Sequence, residues 1–168
     1  RDFENKLFDK YIERKCDVVI GAIEPTMYLF SNKWFLSEKN PEDVSSYVKE
    51  TLMNLIEIQA EVYQIAPPLV NKMMESIIDA ALEEIQRIYE SVASKLTTSA
   101  CIQAMIDIGA LQIAFDHSGG HIANSAKRIL IQCEKCFNST GKYVESELID
   151  KILIKFKLSM QLQLSCFK

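Results

Sequence analysis

Two short patterns carry residue types that could do chemistry. His117-x3-His121 is followed by Cys133-x2-Cys136, and imidazole and thiolate are the ligands zinc takes in tetrahedral structural sites. The functional reading of the four is a metal clip. The plainer reading is a Gly119-Gly120 loop flanked by histidines, then two core cysteines at i and i+3. The order runs opposite to the common finger, in which cysteines precede histidines. Both cysteines also share an apolar face with Ile122 and Phe137, and free cysteine packs as a small hydrophobe. No metal and no cofactor are therefore read from the set. A helical metal-binding or enzymatic domain using His117, His121, Cys133 and Cys136 stands as the alternative.

The other candidate is a carboxylate group, Asp79, Glu83 and Glu84. Glu83 and Glu84 fall on the polar side of a helical stripe, and no nucleophile or base converges on them, which is how a solvated face reads. No phosphate-binding glycine loop, nucleophile elbow or His-Glu-x-x-His occurs in the chain. No catalytic residue is assigned. The function expected is non-enzymatic.

Composition narrows the partners. The formal net charge of -4 and pI near 5.3 exclude nucleic acid as the main partner, because phosphate neutralisation needs a basic surface. No apolar run approaches the roughly 20 residues needed to span a bilayer, and an acidic chain lacks the basic amphipathic face of a membrane-surface helix. Direct membrane insertion is therefore not expected. Five cysteines, an odd number, fit reduced cytosolic thiols better than a disulfide framework. No signal peptide opens the chain. Arg1 to Arg14 is already in helical register, and we expect a piece of a larger protein. At 168 residues and 48% apolar content, residues 1–168 read as one helical-bundle domain with a sizeable core.

The elements that must position these residues are helices. The first runs from about Asp2 to Ile23, with Phe3, Leu7, Tyr11 and Val18 near one stripe. Glu24-Pro25 is expected to interrupt or kink it, since the residue before proline is pushed out of the helical region. Ser31 to Asn40 is a polar connection carrying the only tryptophan, with Lys33, Trp34 and Phe35 tucked over helix ends. Asn40 as cap, Pro41 at the first position and the acids Glu42 and Asp43 predict the start of a second helix. Its buried face is Val44, Tyr47, Val48, Leu52, Leu55, Ile58, Val62 and Ile65. Pro67-Pro68 ends it, and a third helix follows from about Leu69 to Ser94 with Val70, Met73, Ile77, Ala81, Ile85, Ile88 and Val92 inward. Thr97 to Ser99 can cap a fourth helix to about Asp116. That helix is apolar on two sides, carries Asp107 as its one charge before Asp116, and is expected to be central. A fifth spans about His121 to Phe137.

The last segment, Tyr143 to Phe167, is ambiguous. Ile154 to Leu164 alternates apolar and polar like a half-buried strand, while Leu148, Ile152, Phe156, Met160 and Leu164 form a four-residue series. Good helix formers dominate it, and acids precede lysines along it, so helix is predicted. Ile154, Leu158 and Leu162 then project from the opposite side. They are either a docking stripe for a partner helix or are covered by another helix of the same bundle.

The segment KFKLSMQLQLSCF (Lys155 to Phe167) resembles the carboxyl-terminal end of the Sec-five subunit family of the exocyst, exocyst complex component two. DVVIGAIEPTMYLF (Asp17 to Phe30), YVKETLMNLIEIQAEVYQI (Tyr47 to Ile65) and LVNKMMESIIDAALEEIQRI (Leu69 to Ile88) resemble it in the same order. The resemblance implies an all-α, elongated bundle of about six helices at the end of a tethering-complex rod. It implies a role in exocytosis through helix-packing contacts with other exocyst subunits or a regulatory protein. It also implies a cytoplasmic protein recruited to the plasma membrane at exocytic sites. The family's small-GTPase contact is associated with an immunoglobulin-like domain that nothing here matches, so that contact is expected outside this chain. Ile154, Leu158 and Leu162 are the candidate partner-binding residues.

Overall fold

The computed structural model describes residues 2–115, 121–141 and 146–168. Among them every regular element is helical: α1 (Asp2–Tyr28), α2 (Ser46–Ile65), α3 (Val70–Val92), α4 (Thr98–Phe115), α5 (His121–Thr140), α6 (Ser146–Ser159) and α7 (Gln161–Ser165), with 3-10 turns at Trp34–Leu36, Pro67–Leu69 and Ala93–Lys95. The all-α expectation holds. The last segment is two helices rather than one, because the ladder breaks at Met160 before α7.

α1 packs on α2 and α3, while α3 also meets α5. α4 lies against α5, α6 and α2, and α7 returns to α2. The buried apolar residues of all these helices form one continuous core. α3 shows why the period of its sequence sufficed. Every residue of the predicted stripe, Val70 through Val92, is buried, as the 3.6-residue repeat requires of an amphipathic helix. α4 is apolar all round, and Ile106, Ile108, Leu111 and Phe115 are each at most 2% exposed. On length and composition alone Thr98–Phe115 could cross a membrane, contrary to the expectation that no run is long enough. Burial among the other helices accounts for that composition.

Two boundaries and one buried face differ from expectation. α1 passes through Pro25 and ends at Tyr28. Proline at 25 removes only the bond to the Gly21 carbonyl and presses its ring on that carbonyl, whereas burial of Ile23 and Met27 holds the last turn in register. Thr26 Oγ1 adds a bond to Ala22 O at 2.7 Å. The buried face of α1 is also shifted. Phe8, Ile12, Val19, Ile23 and Met27 face the core, while Phe3, Leu7 and Val18 are exposed. Two stripes one residue apart compete along this helix, and neighbours decide between them. Finally, α2 begins at Ser46 rather than at Pro41, and Ile65 at its end is exposed.

The tryptophan loop folds as expected over helix ends. Trp34 stands edge-on to Tyr28, Phe35 and Tyr89, with ring centroids 5.3 to 6.1 Å apart.

Candidate partner-binding site

α6 and α7 divide cleanly into two faces. Ile152, Phe156 and Leu164 are buried, with Phe156 fully so, and Leu148 and Met160 are packed against the core. The other side carries Ile154, Leu158 and Leu162 at 62%, 70% and 81% exposure. Of the two readings of this stripe, cover by another helix of the bundle does not occur among the described residues. Three large apolar side chains at four-residue steps thus stand in solvent on one edge.

The base under them is tightly built. A Cβ placed on Gly109 of α4 would sit 2.8 Å from Leu153 Cδ1 of α6, so glycine lets the two helices approach side chain to backbone. Phe167 packs edge-on against Phe115 at 5.3 Å between centroids. Gln59 Nε2 donates to the Cys166 carbonyl at 2.9 Å, tying the chain beyond α7 to α2.

Of the metal pattern only the two cysteine side chains fall within the described residues. His117 lies outside the described residues, as does the side chain of His121. Cys133 is buried in the core and Cys136 is half-buried, with its Sγ donating to the Leu96 carbonyl at 3.2 Å. Burial, with Cys101 alongside, pushes the Cys136 thiol up to about 11. The Cys101 thiol is raised by its hydrogen bond with Cys133 and by burial. Among the described residues no group of three or more His, Cys, Asp or Glu side chains is placed to hold a metal ion.

Of the carboxylate group of α3, Glu84 is ion-paired. Arg87 bridges Glu84 of its own helix and Glu24 of α1, at 2.7 Å to each. Arg87 lowers the Glu84 carboxyl, the opposite of what a general acid needs.

Comparison with protein families settles the lineage. The profile of the family described as exocyst complex component Sec5 matches residues 1–167. The chain belongs to the Sec5 family. It is 32% identical over all 168 residues to exocyst complex component 2 of Homo sapiens and 30% identical over the same length to that of Mus musculus. The Drosophila melanogaster protein is 32% identical over 161 residues, 96% of this chain. The chain spans only 17 to 18% of the length of these relatives. No solved structure matches it.

One further feature of this Sec5-family chain escaped the sequence. Asp107 of α4 is fully buried, and its Oδ1 accepts the Ser45 backbone N–H at 2.8 Å and Gln103 Nε2 at 3.0 Å. The Ser45 side chain makes no capping bond of its own, so a carboxylate from another helix serves the start of α2. Asp43 is held at the same junction by the Val44 N–H and by Lys49 Nζ, at 2.8 and 2.7 Å. These bonds keep residues 40 to 45 out of the helix and account for its late start. The only signal in the sequence was an isolated charge in an apolar helix, which marks a buried polar group needing partners.

Proposed function

We propose that this Sec5-family chain acts as a single helical bundle, and as a non-enzymatic part of the exocyst, in the tethering of secretory vesicles. It holds other exocyst subunits, or a regulatory protein, through helix packing. It works in the cytoplasm and at exocytic sites of the plasma membrane, with the small-GTPase contact elsewhere in the longer protein. The observation that carries the reading is the exposed stripe of Ile154, Leu158 and Leu162, opposite a face anchored by Phe156. Apolar side chains in a row along α6 and α7 are what a partner helix buries, and burying each removes roughly 1.5–3 kcal/mol worth of apolar surface from water.

The test uses the full-length protein. Leu158→Asp with Leu162→Asp should reduce capture of the remaining exocyst subunits while leaving helical circular dichroism unchanged. Undiminished capture would sink the docking role, and loss of helicity would assign both residues to internal packing.

A further inference from the structure

Beside the stripe runs a groove of about 730 Å³ between α4 and the α6–α7 arm, with Ile113, Leu153, Ile154 and Leu158 in its apolar lining. The charges that line it are Lys157 and Lys168, and among the described residues no carboxylate does so. In a chain of net charge -4 this is a locally inverted patch. α6 itself runs from Glu147 in its first turn to Lys157 in its last.

We propose that the groove and stripe receive an amphipathic helix of another exocyst subunit, carrying Asp or Glu at the end that lies over Lys157 and Lys168. This rests on the docking role argued above and adds the partner's chemistry. A ridge of residues at i, i+4 and i+8 beside a groove is the arrangement that a second helix fills with its own ridge. α6 is 14 residues long, about 20 Å of helix, which matches a partner segment of similar length. The floor is fixed in advance by the Gly109–Leu153 approach and by Phe167 on Phe115, so little ordering is left to binding. Complementary charge at one end sets direction and speeds encounter. Two lining lysines fall short of the roughly four to eight that draw a protein to an anionic membrane, which favours a protein occupant over a lipid surface.

The experiment places the photo-crosslinking residue p-benzoylphenylalanine at position 158 of the full-length protein within the purified complete exocyst. Cross-linked peptides are then sequenced. The expected product is a peptide of a different subunit with helical apolar period and net negative charge. Lys157→Glu with Lys168→Glu should lower its yield about tenfold at low salt, as like-charge juxtaposition at an interface does, with circular dichroism unchanged. A neutral or basic peptide of another subunit overturns the groove assignment and leaves the docking role standing, as does a yield indifferent to the two charge reversals. Cross-links only to lipid, to a second copy or back into this chain overturn both.

Discussion

The carboxylate of Asp107, buried within α4, accepts the backbone N–H of Ser45 at the start of α2, 2.8 Å away. A negative charge at a helix N-terminus is favourable to the dipole, yet this one is bought at the cost of full burial. Its second oxygen meets no donor at hydrogen-bond geometry, although the Tyr47 hydroxyl is its neighbour.

Burial raises the Asp107 carboxyl from its ordinary 3.8 to about 6, while the unfolded chain titrates near ~3.9. The folded state therefore holds the proton more tightly than the unfolded chain. The resulting stabilisation is complete below about pH 4 and is lost as pH rises through about 6, on the order of 2–3 kcal/mol in all. Paired acids such as Asp43, whose carboxyl is lowered by Lys49, act in the opposite sense. Comparison with Asp107→Asn removes their contribution. Urea unfolding at pH 4.5 and 7.5 should show the natural chain gaining more stability on acidification than Asp107→Asn. Equal gains would mean that the buried carboxyl does not titrate in this range.

Gly109 makes a second prediction, in which two effects oppose. Gly109→Ala gains up to about 1 kcal/mol of helix propensity, against the displacement of Leu153 Cδ1, which lies 2.8 Å from the new Cβ. Leu153 can turn its tip aside, so the net change should stay within about 1 kcal/mol. Gly109→Val should cost about 1–3 kcal/mol by overpacking, and Leu153→Ala in the same chain should recover part of that loss. Denaturant midpoints of the three variants provide the check.

Phe156 and Leu158 test the rotational setting of α6. Phe156 is completely buried and Leu158 is 70% exposed. Phe156→Ala should cost about 3–5 kcal/mol, and Leu158→Ala no more than about 0.5 kcal/mol. Similar losses for the two would mean that α6 is turned from the setting described here.

The extent to which the sequence disclosed this arrangement depended on the kind of physics involved. The main stripe of α3, Val70 through Val92, was legible from its period, although Met74, Ile78, Leu82 and Tyr89 beside it are buried too. The inward face of α6 and α7 was legible from its four-residue series, with Phe156 inward and Leu158 outward, although Ile154, Leu158 and Leu162 leave the outer face partly apolar. α1 was not, since Val18 and Val19 begin equally good stripes and only contact with α2 and α3 selects Val19. Pro25 misled because a local rule about proline yields to burial of Ile23 and Met27 on either side. The start of α2 was hidden for a related reason. The capping pattern at Asn40 and Pro41 is sound locally, but Asp107 lies 62 residues from Ser45 in sequence, and no window of periodicity joins them. The break at Met160 carried no proline or glycine to announce it.

The claim on which the functional account turns is that the stripe is open in the subunit and covered in the assembly. Leu158→Cys in a full-length chain with Cys166→Ser, which removes the exposed thiol of this bundle, allows maleimide labelling to be timed at position 158, by mass spectrometry of its peptide, in the free protein and in the complete exocyst. Labelling should be rapid in the free subunit and at least about tenfold slower in the complex, as burial in an interface core requires. Equal rates in the two states would contradict that claim.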